Sequence, residues 1–159
     1  MENAITDLLD KIIPQINTLL SDLRLWMGIL LYVAPAALIL YGLFCFFLSP
    51  PEANHRMGFR SIYGMGSVRA WKWSQKFAGI VLGGTGILLL ISAIIGSVLS
   101  AGKALSDAMT AVIIILIIQA SLTLAAYIGI EVTLIVRYDL AGNLRSVWKQ
   151  RRAAKRAGQ

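Results

Sequence analysis

The sequence predicts an all-α membrane protein with three transmembrane helices, an N-terminal amphipathic helix and a basic cytoplasmic C-terminal tail. Of its 159 residues, 57% are hydrophobic and only 14% are charged, a composition too apolar for an ordinary soluble domain. Nearly uncharged runs occur at 25–48, 77–100 and 108–136. Each is longer than the roughly 20 residues that cross a hydrocarbon core. Because lipid offers no hydrogen bonds to the backbone, these runs are expected to be helices.

The segment 1–23 precedes the predicted three-helix membrane domain at 24–138. It places apolar residues at helical spacing, with acidic residues such as Asp7 and Asp10 on the other face, which is typical of an amphipathic helix. We expect Pro14 to kink or divide it. The helix either lies on the outer membrane surface or continues into the first span. Docking to a protein partner is an alternative, because anionic headgroups repel an acidic face.

The distribution of positive charge predicts the orientation of the spans. Of the 15 Lys and Arg residues, five lie between the first two spans and seven follow the third. The N-terminal segment has two, and the 101–107 turn between spans two and three has one. Loops rich in Lys and Arg stay in the cytoplasm. We therefore expect the N-terminus outside, the C-terminus in the cytoplasm, and a tight hairpin of the second and third spans.

The segment 139–159 is predicted to be a basic juxtamembrane tail. A short helix after Gly142 and Asn143 would turn Leu144 toward the bilayer and the basic side chains toward anionic lipid headgroups. Each such charge near an anionic surface contributes about 1 kcal/mol. Nucleic acid is not expected as a partner, because the tail is tethered to the membrane and no recognition fold accompanies it.

Small residues recur at helical spacing along spans two and three. Such residues let helix backbones approach closely in lipid. Packing within one three-helix bundle is the first interpretation, and self-association into a homo-oligomer or docking with a partner protein is the second. The residues are Gly79, Gly83, Gly86, Ala93, Ser97 and Ser100 in span two, and Ser121, Ala125, Gly129 and Thr133 in span three.

The sequence contains no pattern typical of a catalytic, metal or cofactor site. Cys45 is the only cysteine and lies inside the first span, which favours a buried thiol and excludes an internal disulfide. His55 is the only histidine, and a single histidine in a basic loop is most often solvated. We therefore predict a protein that is not an enzyme and that binds no metal or cofactor.

Two polar residues interrupt the third span. Gln119 lies near its middle, and Glu131 lies one to two turns from its cytoplasmic end. Ionisable groups within membranes are costly and usually paired. We predict that Glu131 pairs with Arg60 of the preceding loop or, failing that, with Arg56. The alternative is that Glu131 reaches interfacial water and has no fixed partner.

Exchange of the two charges tests this pairing. We expect Glu131→Arg to lower the protein level and Arg60→Glu, added to it, to restore that level. A double variant that is no better than Glu131→Arg would contradict the pairing.

The loop between the first two spans carries the most specific pattern in the chain. A basic loop with Trp71 and Trp73 as aromatic anchors at the interface accounts for its charges and tryptophans. That interpretation does not account for the spacing of the other residues. The pattern comprises Asn54, Gly58, Phe59, Arg60 and Ser61, followed by Trp71, Gln75 and Gly79.

This spacing resembles that of the SdpI family of small bacterial membrane proteins. The family's signature is Gly-aromatic-Arg-Thr, then Trp about ten residues later, Asn four residues further on, and Gly opening a membrane helix. Ser61 stands where the family has Thr, and Gln75 stands where it has Asn. The order of one helix before the motif and a helical hairpin after it is also similar, and the resemblance covers about residues 25–138.

The resemblance implies a non-enzymatic protein of the bacterial cell membrane. Its expected role is to protect the cell from a membrane-active peptide toxin, or to relay the toxin's presence to a cytoplasmic regulator. The 54–79 residues would form the functional surface. The alternative is an accessory subunit of a transporter or another membrane complex, which packs on a membrane partner protein through small-residue faces.

Overall fold

The computed structural model describes residues 2–53 and 57–145, with the backbone alone for residues 2–10. Asn54, His55 and Arg56 lie outside the described residues. So do residues 146–159, on which most of the predicted basic tail falls.

Four helices make up most of the described chain. They are α1 at Glu2–Leu43, α2 at Ile62–Met65, α3 at Val68–Ser100 and α4 at Leu105–Arg137; a π-helical turn at Phe44–Leu48 continues α1. Three stretches of the described chain are long and apolar enough to cross a membrane: Lys11–Leu48, Val68–Ser100 and Leu105–Arg137. The predicted all-helical architecture with three candidate spans is confirmed.

Helix α1 runs without a break through Pro14 and Pro35. Pro14 therefore does not divide the helix, and the alternative, a kink at Pro14, stays a prediction. The Arg24 guanidinium donates a 3.1 Å hydrogen bond to the Lys103 carbonyl in the α3–α4 turn. Residues 2–23 lengthen the helix by about 33 Å on the N-terminal side of that contact. Every side chain from 11 to 26 is exposed, and whether the 1–23 segment covers lipid or a partner stays a prediction.

Glycines bring α1 and α3 into backbone contact. A Cβ atom on Gly42 would lie 2.5 Å from the Gly83 nitrogen, and one on Gly79 would lie 2.8 Å from the Gly42 carbonyl oxygen. Further along, the Tyr32 hydroxyl donates to Ser97 Oγ at 2.8 Å. The small-residue face of the second span therefore packs within the bundle, on α1.

The small-residue face of the third span does not pack within the bundle. Ser121, Ala125 and Gly129 are exposed, and a Cβ atom on Gly129 would meet nothing within 4 Å. Helix α4 instead buries Ile130 and Leu134 against the bundle. Packing within one bundle is thus the wrong interpretation for this face, which points outward.

The predicted tight hairpin of spans two and three is present. Helix α3 ends at Ser100 and α4 begins at Leu105. Gly102 adopts a φ of +78° in the turn between them, a conformation that glycine reaches at no steric cost.

The chain folds back immediately after α4. The Arg145 nitrogen donates to the Arg137 carbonyl at 3.1 Å and the Asp139 nitrogen to the Asn143 carbonyl at 2.9 Å, around Gly142 at a φ of +70°. This reversal lays Leu144 on the core, where it is 8% exposed. The expectation that Leu144 faces the bilayer is therefore wrong. We call one end of the bundle the loop end. It is the end at which α1 and α4 finish and α3 begins.

Candidate functional site

The first turns of α3 position most of the predicted loop residues. Ser67 caps this helix, since its Oγ accepts a hydrogen bond from the Ala70 nitrogen at 3.1 Å. The second span was expected to begin at residue 77, and the helix begins nine residues earlier. Trp71 and Gln75, four residues apart, share the inward face and are fully buried. The basic residues Arg69, Lys72 and Lys76, for which the sequence predicts a loop, lie on the outward face of the same turns of α3.

The Gln75 amide binds the backbone of Phe59 through two hydrogen bonds. The Phe59 nitrogen donates to Gln75 Oε1 at 2.8 Å, and Gln75 Nε2 donates to the Phe59 carbonyl at 2.7 Å. A carboxamide carries a donor and an acceptor side by side, so it can satisfy both groups as a neighbouring strand would. Phe59 is 2% exposed, and buried backbone groups need such partners.

Gly58 is required at its position for two reasons. Its φ is +100°, which side-chain-bearing residues rarely adopt. A Cβ atom there would also lie 2.7 Å from Gln75 Oε1 and 3.1 Å from the Trp71 ring. The glycine therefore lets the loop lie flat against the two residues that hold it.

The Phe59 side chain is buried and packs on α4. Its ring lies 5.4 Å from the Tyr127 ring of α4, centroid to centroid. It belongs to a buried cluster with Cys45, Ile130 and Leu134. Cys45 is a free, fully buried cysteine, as the sequence predicts. The loop thus contacts both the end of α1 and the face of α4.

Ser61 joins the loop to the intramembrane carboxylate. Its Oγ donates to Glu131 Oε2 at 2.8 Å, and Ser61 is 4% exposed. Arg60, between the buried Phe59 and Ser61, is exposed. The pairing of Glu131 with Arg60 stays a prediction, and Arg56 lies outside the described residues.

Trp71 is not an interfacial anchor. It is fully buried, and its Nε1 donates to the Pro50 carbonyl at 2.8 Å, which ties the end of the α1 segment to α3. Trp73 is partly buried and stacks on Phe77 at 4.7 Å, beneath the Arg137 guanidinium at 4.0 Å from its ring centroid. The interpretation of Trp71 as an aromatic anchor at the interface is wrong, because α3 begins early enough to turn this side chain inward.

Gly79 lies one turn beyond Gln75 on the same face. A Cβ atom there would lie 2.9 Å from both the nitrogen and the Cβ of Phe46, as well as close to Gly42. It therefore sits within α3 at the crossing with α1, rather than at the start of the span.

Gln119 lies at the centre of the bundle, away from the loop. It is 2% exposed, and its Nε2 lies 3.3 Å from the Leu31 carbonyl and 3.5 Å from the Leu89 carbonyl. Its Oε1 has no hydrogen-bond partner among the described residues. The side chain thus bridges all three long helices and is not part of the loop site.

Sequence reasoning missed the contact between the α2–α3 turn and the chain after α4. Ser67 Oγ donates to the Gly142 carbonyl at 2.8 Å, and a Cβ atom on Gly66 would lie 2.6 Å from the Leu140 carbonyl oxygen. The signal was the run from Asp139 to Asn143, whose Asp, Gly and Asn are typical turn residues.

Residues 58–61, which we call the docked loop, are held in one conformation by these contacts. Among the described residues, no three His, Cys, Asp or Glu side chains come together as metal ligands. The described part of the motif places one charged side chain, that of Arg60, at an exposed position. What the arrangement offers is an exposed cationic side chain, that of Arg60, on a backbone held between Phe59 and Ser61, beside a partly buried serine–glutamate hydrogen bond.

Replacement of Gln75 by Leu should undock the loop. The change leaves the Phe59 N–H and carbonyl buried without partners, at about 1–3 kcal/mol each. We expect the thermal unfolding midpoint in detergent to fall by roughly 5–15 °C. Gln15→Leu, at an exposed position of α1, is the matched control and should leave the midpoint unchanged. Equal midpoints for the two variants would contradict the role assigned to Gln75.

Comparison with known proteins yields no relative of this chain. No protein-family model, no curated protein and no solved structure matches it.

Proposed function

We propose that this chain is a non-enzymatic integral membrane protein, similar to the SdpI family, that gives immunity to a membrane-active peptide toxin or signals its presence. One observation carries the proposal. Four residues that resemble part of the family's signature, Gly58, Phe59, Trp71 and Gln75, come together although they are spread over residues 58–75. Gln75 holds Phe59 there, and Arg60 is exposed.

The proposed orientation places the loop end in the cytoplasm and the N-terminus outside, in a bacterial cell membrane. Arg60, Arg69, Lys72 and Lys76 all lie at the loop end, and basic segments stay on the cytoplasmic side. The opposite end, at the α3–α4 turn, has Lys103 with Arg24 hydrogen-bonded to its carbonyl.

The contacts of the loop with α4 support a mechanism in which binding of a toxin in the bilayer changes the position of Arg60. Most of the surface of α4 is unburied within the chain, so a peptide in the bilayer can reach this helix. Tyr127 and Glu131 lie one turn apart on α4 and contact Phe59 and Ser61, the two neighbours of Arg60. A shift of α4 would therefore move the loop and change how Arg60 is presented to a cytoplasmic partner. Alternatively, the chain would give immunity directly, by occluding the toxin against α4.

Replacement of Arg60 tests the proposal. Expression of the wild-type chain should protect sensitive cells against one member of a panel of membrane-active peptide toxins. Arg60→Ala should remove that protection without lowering the protein level, because the Arg60 side chain is exposed and Glu131 keeps its hydrogen bond from Ser61 in this variant. Lys103→Ala, which removes an exposed cation at the opposite end, should retain protection. Full protection by Arg60→Ala, or loss of protection by both variants, would contradict this role.

The second candidate is an accessory subunit of a membrane complex. The observation in its favour is the outward small-residue face of Ser121, Ala125 and Gly129, which none of the described residues covers. This function predicts co-purification with a membrane protein at fixed stoichiometry, and loss of that protein in Gly129→Leu. Gly84→Leu, at an equally open position of α3, is the control. Retention of the partner by Gly129→Leu would contradict docking through this face.

A further inference from the structure

A cleft of about 760 Å³ opens at the loop end, on the side of α3 opposite the docked loop. One wall is the π-helical turn, with Phe46 and Phe47, and the other is the first turns of α3. Phe47 is 73% exposed, so its ring faces the lipid side of the cleft. The cleft therefore extends from the apolar side chains of the π-helical turn to the segment that follows it, Ser49 to Pro51.

The α3 wall of the cleft is strongly cationic. Arg69, Lys72 and Lys76 line it, and steps of three and four residues place them on one helical face. All three are exposed, and no acidic residue is among the described residues that line the cleft. The cleft is thus complementary to an anion.

A buried tyrosine also borders the cleft. Tyr138 is fully buried and lines the cleft, yet its hydroxyl has no partner within residues 2–53 and 57–145. Buried polar groups are normally satisfied, and an exception calls for an explanation such as an absent ligand. An anion in the cleft would supply one after the Tyr138 side chain turns its hydroxyl toward it.

The two walls are held at a fixed separation. The Trp71 indole donates to the Pro50 carbonyl, which links the segment after the π-helical turn to α3. Trp73, which also lines the cleft, is held between Phe77 and Arg137. The cleft is therefore formed before any ligand enters.

We propose that this cleft binds an anionic phospholipid of the leaflet at the loop end. The phosphate would lie between the three cations and accept a hydrogen bond from Tyr138. An acyl chain would run along Phe46 and Phe47 into the bilayer. Basic pockets beside transmembrane helices bind anionic headgroups in this way, and the apolar wall selects a lipid over a soluble anion. This site is separate from the docked loop and does not depend on the proposed toxin response.

Native mass spectrometry of the purified full-length chain tests the site. The protein is mixed with equal amounts of phosphatidylglycerol and phosphatidylcholine that have the same acyl chains, and the ratio of bound lipids is measured. We expect the wild type to prefer phosphatidylglycerol. Each cation near an anionic group contributes about fivefold to binding, so Lys72→Gln/Lys76→Gln should lower the ratio about tenfold or more. The control Lys11→Gln/Lys103→Gln, with the same charge change, should keep it.

Tyr138→Phe separates a ligand site from a structural defect. This variant should bind phosphatidylglycerol less tightly than the wild type, while its thermal midpoint without lipid is unchanged or higher because an unsatisfied hydroxyl is gone. Tyr63→Phe, outside the cleft, is its control.

Three results would overturn the proposal. The first is no preference for phosphatidylglycerol, and the second is an equal loss in the two lysine pairs, which would indicate net charge alone. The third is displacement of the lipid by millimolar glycerophosphoglycerol, which would indicate a soluble phosphate compound as the ligand.

Discussion

The pair of hydrogen bonds between the Gln75 amide and the Phe59 backbone determines the arrangement of the loop end. A loop that enters the edge of a membrane bundle brings an N–H and a carbonyl with it, and water is not there to satisfy them. Gln75 supplies both partners from a single side chain. Gly58 can then lie flat on Gln75 and Trp71, the Phe59 ring reaches Tyr127, and Arg60 is left exposed. A residue that offered only a donor or only an acceptor would leave one backbone group unsatisfied.

The spacing of Trp71, Gln75 and Gly79 has a simple structural meaning. Steps of four place all three on one face of α3, and each holds a different part of the chain. Trp71 binds the Pro50 carbonyl, Gln75 binds the loop, and Gly79 lets the backbone of α1 approach at Gly42. The segment from the end of α1 to the loop is therefore fixed against one helix, over two turns.

The opposite face of the same turns carries Arg69, Lys72 and Lys76 along the cleft. One amphipathic stretch of α3 thus separates two environments, a buried one that shapes the loop and a cationic one that lines the cleft. The turn after α4 completes this end of the molecule. It closes on Ser67, the residue that caps α3, through the hydrogen bond to Gly142, and it follows Tyr138, which borders the cleft. The docked loop, the helix cap and the C-terminal turn consequently support one another.

The sequence by itself determined the helical class, the three candidate spans, the tight turn after Ser100 and the burial of Cys45, because hydrophobic length and the demand of lipid for internal hydrogen bonds act locally along the chain. It also marked Gly58, Gln75 and Gly79 as special, without their roles. Only the tertiary structure decided that α3 begins at Val68, that Trp71 is buried, that Leu144 folds back and that α1 passes Pro14 unbroken. Those features depend on contacts between residues far apart in the chain, such as Phe59 with Gln75 and Ser67 with Gly142. Local composition cannot encode them. The positive charges at 69–76 are typical of a loop, and only the contacts of Trp71 and Gln75 on the opposite face show that this segment is helical.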